Sequence, residues 1–410
     1  MTLTALLAAI LAIAFGVHFA TAFVTARRLT STSTPKRSTS SQRRPSVSVV
    51  IPIAALERSE VATALSAFDI QYRDCSLLYC AYGEDEPHLS EIRRRIAASP
   101  GVDAKLLVGR EQFSANPKFD NIEKGSAAAQ GEMVAFIDSN VDLPPDMLDR
   151  LLAEWDESTG MVSAAPIGVR PSGFWAQVEC AFLNTFQARW LLMADSIGSG
   201  FAHGKVLLLR RDFLAAHGSM SALASHVNED TAATKLVRSA NLKVRLARHP
   251  CEQPLGSRSM TQVWRRQLRW AQLRRQATPL AFAFENLVTT ATPVLAGLGL
   301  AGLLGWSVGW TLLAIVAAWY ATEAALATAV GWPWSLTSWV ACLVRDAMAL
   351  AIWPIALVKS SYSWRGHHID MTDRSRIPAR TSSVAVRSEA SRGEHHRPDG
   401  RGDSATACQT

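Results

Sequence analysis

Four groups of residues in this 410-residue chain have the types and spacing that chemistry needs. The first is Phe136, Ile137, Asp138, Ser139, Asn140, Val141, Asp142, Leu143 and Pro144. A carboxylate placed directly after an apolar run, with a second oxygen ligand two residues on, suits a hard divalent cation, Mg or Mn. Asp138 and Asn140 are the expected ligands, and such a cation would neutralise a departing diphosphate. The same residue types are also ordinary turn formers. The second group is the acidic turn Tyr82, Gly83, Glu84, Asp85, Glu86 and Pro87. Its carboxylates, Asp85 first among them, could hold a nucleobase or ribose, or simply be solvated.

The third group, Val227, Asn228, Glu229 and Asp230, precedes a helical pattern over residues 231–239. Acidic residues at a helix start are favoured by the macrodipole. They also suit a general base, because an alcohol is a poor nucleophile until its proton is removed. One such base acting in a direct displacement inverts the carbon attacked. The fourth group is Trp264, Arg265, Arg266, Gln267, Leu268, Arg269 and Trp270. On a helix, Arg266, Arg269 and Trp270 share one face. Guanidinium groups hold a diphosphate with paired donors. The competing reading is an amphipathic helix lying on anionic lipid, over residues 261–276.

These groups need a scaffold, and the sequence predicts one. Short β-branched or apolar runs at residues 46–52, 77–81, 104–108 and 133–137 read as buried strands. Helical patterns at residues 60–68, 89–98 and 121–130 lie between them. That alternation predicts an α/β fold with a mostly parallel sheet. In such sheets ligands bind beyond the carboxyl ends of the strands, where Asp85 and Asp138 fall.

Hydrophobic residues make up 48% of the chain and charged residues 19%, below the roughly 25% charge of soluble proteins. The apolar excess is concentrated. Residues 4–24 form a nearly uncharged run long enough to cross a bilayer, followed by Arg27 and Arg28. The uncharged start and the length predict an uncleaved anchor with the remainder on the cytoplasmic side. Between Glu285 and Glu323 no charged residue occurs, which is room for about two spans joined near residues 307–309. A third apolar segment, residues 334–358, contains Arg345 and Asp346, which must either find partners inside the bundle or lie at the interface. The parity of these spans stays open; the basic tail favours two full crossings and one re-entrant or surface segment.

The expected organisation is an N-terminal anchor over residues 1–25, a basic linker over 26–45 and a cytoplasmic catalytic domain over 46–285. Membrane segments over 286–360 and a disordered basic tail over 371–410 follow. The net charge of +7 arises mainly from membrane-flanking clusters and the tail, a pattern that argues against nucleic acid as a partner. Six cysteines without a CxxC pair predict reduced thiols rather than zinc or redox chemistry.

Taken in order, the acidic turn, Asp138, Asp230 and Arg266-x-x-Arg269-Trp270 resemble the D, D, D, (Q/R)xxRW pattern of family-2-like GT-A glycosyltransferases. More narrowly, the chain resembles ceramide glucosyltransferases through Asn116-Pro117-Lys118, Asp138-Ser139, Val141, Pro145-Asp146, Glu229-Asp230 and Arg266 to Trp270. The resemblance covers residues 47–284, more weakly the flanking spans. It implies a GT-A nucleotide-binding fold, a UDP-glucose donor, a divalent cation and inverting transfer to a membrane lipid, ceramide. It places Asp85 on the uridine, Asp138 on metal and diphosphate, Asp230 as base, and Arg266, Arg269 and Trp270 near diphosphate and acceptor. Lys118 is implied to reach the nucleotide. His203-Gly204-Lys205 departs from the pattern, standing where small and polar residues are usual. Hopanoid or other lipid transferases share the motif set, and processive polysaccharide synthases share its last element. A non-catalytic scaffold would be expected to lose the carboxylates.

Overall fold

The computed structural model describes residues 2–31, 44–109, 117–220, 229–364 and 367–370. The linker around residues 32–43, Asn116, Val227, Asn228, Cys408 and the tail from residue 371 lie outside the described residues. Strands β1 (Val47–Ile53), β2 (Cys75–Ala81), β3 (Asp103–Val108) and β4 (Met133–Ile137) lie where β-branched and apolar residues cluster. With β5 (Thr159–Ser163), β7 (Val206–Arg210) and β8 (Lys243–Leu246) they build one seven-stranded sheet in the order β3-β2-β1-β4-β7-β5-β8. Strands β6 (Pro166–Ser172) and β9 (Cys251–Ser257) pair separately and in parallel. The large sheet is mostly parallel; β7 runs antiparallel to both β4 and β5. That reversal delivers the residues just before β7 to the carboxyl end of β4.

The sheet is buried on both faces, as its continuous apolar runs require. Val49, Ile51, Tyr79 and Ile137 pack into one layer, and Val50, Leu78, Val134 and Phe136 into the other. Each such side chain contributes about 1.5–3 kcal/mol on burial. The connecting helices are α1 (Leu3–Thr30), α2 (Val61–Leu65), α3 (Leu89–Ala97), α4 (Pro117–Ala128), α5 (Met147–Leu152), α6 (Phe174–Ala181), α7 (Arg189–Ser196), α8 (Arg211–Ala216) and α9 (Glu229–Ser239). The helix expected over residues 60–68 is tightened by 3-10 turns at Arg58–Glu60 and Ser66–Asp69 on either side of α2. Helix α4 sits directly on the sheet because Gly125 has no side chain; a Cβ there would lie 2.2 Å from Val50 Cγ1.

Beyond the sheet come α10 (Met260–Ala277), α11 (Pro279–Phe284), α12 (Ala291–Leu304), α13 (Val308–Val330) and α14 (Leu336–Val358). Helices α1, α13 and α14 are each long and apolar enough to cross a membrane. The stretch Pro279–Val288 with Ala291–Leu304 forms a pair bent by 48°, a broken span or a re-entrant segment. Gly305, at φ 68°, ends α12 in the left-handed conformation that glycine reaches without strain. The two charges inside α14 meet partners: Arg345 and Asp346 are both buried, and Arg345 pairs with Glu323 of α13. Among the described residues Cys80, Cys180, Cys251 and Cys342 are buried unpaired thiols and Cys75 is half-buried.

Candidate active site

Asp138 follows β4 directly, and its surroundings come from three separate elements. Lys118 of α4 places its Nζ 2.7 Å from Asp138 Oδ1, while Lys205 Nζ lies 2.9 Å from Oδ2. Lys205 Nζ also donates to Asn140 Oδ1 at 2.8 Å. The expected cation ligands Asp138 and Asn140 therefore share an ammonium group. Among the described residues no group of three or more His, Cys, Asp or Glu side chains is arranged to hold a metal. Burial disfavours the charged form of Asp138, but the two lysines outweigh it and hold the carboxyl well below the usual carboxylate range. Lys205 is depressed from its ordinary value, first by burial and then by the like charge of Lys118, against the attraction of Asp138.

Asp230 reaches the same place from α9. Its Oδ2 accepts from the Gly204 backbone N–H at 2.8 Å, and its Oδ1 accepts from Thr231 N–H at 2.6 Å. Lys118 in turn donates to Gly204 O at 3.0 Å. Asp138 N–H donates to Lys205 O at 3.0 Å. The tripeptide His203-Gly204-Lys205 is thus the hub on which Asp138, Lys118 and Asp230 converge. Ser163 locks it from below, donating to Val206 O at 2.8 Å and accepting from His203 N–H at 3.1 Å.

Helix α10 supplies the arginines. Ser259 and Gln262 form a reciprocal capping box, with Ser259 Oγ accepting from Gln262 N–H at 3.2 Å and Gln262 Oε1 accepting from Ser259 N–H at 2.8 Å. Caps of this kind contribute about 1 kcal/mol and fix where the helix starts. Trp270 stands edge-on to His203 with ring centroids 6.1 Å apart, which brings the late motif onto the hub. Arg266 pairs with Glu179 of α6, a fully buried carboxylate that also lies 3.4 Å from Arg258. Arg269 lies half-buried one turn after Arg266. The far end of α10 is held by the end of α14: Arg275 donates to Leu357 O, and Gln272 donates to Lys359 O at 3.1 Å. Val263 and Ala271 pack in one cluster with Phe182, Ala341 and Ile352.

His203 is kept neutral. Burial, then the charge of Lys205, lowers its pKa from the ordinary 6.5 to about 3, and its Nδ1 is buried without a hydrogen-bond partner. Asp85 shares the carboxyl end of the sheet, since β2 and β1 are parallel and in register to Ile53 and Ala81. It stays exposed, its carboxylate lying over Gly83, while neighbouring Glu86 accepts from Ala55 N–H at 2.6 Å.

Sequence reasoning missed Glu179 and Arg258. Glu179 is the lone acidic residue in the otherwise uncharged stretch 174–188, and that isolation is the signal that could have found it. Lys205 stood out only as a departure from the expected pattern.

A profile of glycosyl transferase family 21 matches residues 5–377. Ceramide glucosyltransferase 1 of Caenorhabditis elegans is 28% identical over 267 residues, 64% of this chain and 57% of that protein. Ceramide glucosyltransferase 3 of the same organism is 25% identical over 245 residues, 59% of this chain and 53% of that protein. The matched region is thus little more than half the length of these relatives. A mannosyltransferase from Pyrobaculum calidifontis, solved in complex with GDP-Man and Mn2+, superposes with a TM-score of 0.52 at 18% identity. The superposition covers 87% of this chain and 99% of that one, and shows a shared fold.

Proposed function

The chain belongs to glycosyl transferase family 21, and from that premise we propose that it transfers one sugar, glucose, from a UDP-sugar to the hydroxyl of a membrane lipid, ceramide, with inversion at the anomeric carbon. The observation that carries this reading is the convergence of Asp138, Lys118 and Asp230 on residues 203–205, with Trp270 alongside. The named relatives support the ceramide acceptor and the glucosyl donor.

Asp230 is the base. Its oxygens are oriented by two backbone N–H groups, which fix its direction. It takes the proton of the acceptor hydroxyl as that oxygen bonds to the anomeric carbon, and the bond from that carbon to the diphosphate oxygen breaks. The negative charge developing on the leaving UDP falls on Lys118, Lys205, Arg266 and Arg269, cations already in place before reaction. Asp85, at the same end of the sheet, is assigned to the uridine.

Mn2+ accompanies GDP-Man in the Pyrobaculum calidifontis mannosyltransferase structure. Here both oxygens of Asp138 and the side-chain oxygen of Asn140 already hold ammonium groups. The donor set does not fit a metal without displacing Lys205, so no step is routed through one.

Arg27 and Arg28 in the last turn of α1 support a cytoplasmic catalytic unit. Two full spans, α13 and α14, with the bent pair as a re-entrant segment would keep the end of α14 on that side.

The test is to incubate membranes carrying the protein with UDP-glucose, UDP-galactose or UDP-N-acetylglucosamine and with ceramide, a hopanoid or no lipid. Mass spectrometry of the lipids should find ceramide bearing one hexose from UDP-glucose. A hopanoid product would move the acceptor, a polymer would indicate a synthase, and no UDP release with any acceptor would leave a scaffold.

A further inference from the structure

We propose that Lys205 is a built-in counter-cation for the donor diphosphate and that its ammonium takes the place of a bound divalent metal. This rests on the reading of the pocket as a UDP-sugar site and adds how the leaving group is neutralised.

Position is the first argument. Lys205 Nζ lies 2.9 Å from Asp138 Oδ2 and 2.8 Å from Asn140 Oδ1, between the two oxygens a hard cation would use. The remaining Asp138 oxygen is taken by Lys118 at 2.7 Å. Both contacts are charge-assisted, so a metal entering here must break at least one of them and find a new place for the lysine. Lys205 has little freedom to leave. Its backbone carbonyl accepts from Asp138 N–H at 3.0 Å, it immediately precedes β7, and its side chain is 10% exposed.

Charge is the second argument. One carboxylate, Asp138, faces two ammonium groups, and one carboxylate, Glu179, faces two guanidinium groups. Four cations thus touch these two carboxylates, and Asp230, held on the Gly204 backbone N–H, brings a third carboxylate to the same loop. Trp270, one turn after Arg266 on α10, stands edge-on to His203 and ties the second cluster to the first. A nucleoside diphosphate is anionic and is attracted by these cations as they stand, whereas a dication approaching Asp138 and Asn140 first meets the ammonium of Lys205.

The decisive measurement uses the full chain in detergent or nanodiscs, freed of metal by chelation, with UDP as the probe. UDP affinity is read by calorimetry in EDTA and in Mn2+, and bound Mn2+ by electron paramagnetic resonance. The wild-type protein should bind UDP within about twofold in the two conditions and immobilise no Mn2+. Lys205→Ala should lose about tenfold or more in EDTA, the range of one charge-assisted contact, and regain part of it in Mn2+ with immobilised metal appearing. A wild-type protein that binds UDP only with Mn2+, and immobilises it, overturns the proposal while sparing the donor-site reading. No UDP binding in either condition overturns both. The wild-type arm decides without relying on the variant's folding.

Discussion

Two of the places where the molecule buries charge are built differently. Among the membrane helices Arg345 grips Glu323 through two contacts at 2.7 and 3.0 Å and touches Asp346 at 2.8 Å. Arg189 lies 4.0 Å from Glu323 and shares a hydrogen bond of 2.9 Å with His18 Nδ1. Tyr320 donates to Asp346 at 3.1 Å, and Thr290 also bonds to it. Two cations meet two anions there, and every member is buried. At the candidate site Asp138 and Glu179 each face two cations, and Arg266, Lys118 and Asp138 remain partly open to solvent. Charge that closes on itself in a low-dielectric place holds helices in register; charge left partly open to solvent awaits a ligand. Ionisable residues within spans are a functional-site expectation by default, but the complete neutralisation here gives these an architectural role.

The contrast can be broken from either side, and the largest effect is expected at Asp230. Asp230→Asn should cut transfer by about 10²–10⁴-fold, the contribution of a general base, while UDP affinity changes by no more than about twofold. Retained transfer would remove the base assignment. Next comes Glu323→Ala, which leaves Arg345 and Arg189 buried without their shared carboxylate. A loss of about 3–5 kcal/mol is expected for breaking a buried pair, read as a large drop in the unfolding midpoint in detergent. A midpoint near the wild type's would mean that the cluster is not holding the bundle.

A smaller effect should follow Glu179→Gln, which keeps the shape and removes the charge that fixes Arg266 and Arg258. Transfer efficiency should fall about tenfold, in the range of one lost charged hydrogen bond, chiefly in kcat. Unchanged kcat would reduce Glu179 to packing. The smallest concerns His203. Its pKa of about 3 in the fold against 6.5 unfolded means the unfolded chain binds more protons between those values. Its contribution to stability is therefore lost as pH falls from about 6.5 toward 3. The unfolding midpoint of His203→Gln should decline less steeply than that of the wild type between pH 7 and 5. Equal slopes would show that His203 does not titrate in this way.

How far the sequence could be read follows the same division. Strand β4 lies at the predicted residues, and β1 to β3 within two residues of prediction, because a two-sided parallel sheet writes its strands as unbroken apolar runs. Asp138, Asp230 and Trp270 stood out because each sits at a position where a strand or helix begins or ends, or within a dense motif. The pairings of Glu179 with Arg266 and of Arg345 with Glu323 were not legible, since the partners lie 87 and 22 residues apart with no shared period. Lys205 was visible only as an oddity. Its meaning depends on β7 running antiparallel to β4, a pairing no local pattern announces. The break of the apolar region near residues 307–309 was legible from glycine and serine, and the chain turns at Gly305. One re-entrant or surface segment was expected but not its place; the bend between Pro279–Val288 and Ala291–Leu304 was not foreseen, because length and hydropathy alone do not distinguish a crossing from a re-entrant pair.

Electron cryomicroscopy of the full chain in nanodiscs with UDP-glucose bound would test most directly whether three distant stretches of chain form one donor pocket. Diphosphate density within hydrogen-bonding reach of Lys118, Lys205 and Arg266, with the anomeric carbon facing Asp230, is the predicted result. Donor density away from residues 203–205, or a sugar turned from Asp230, would contradict it.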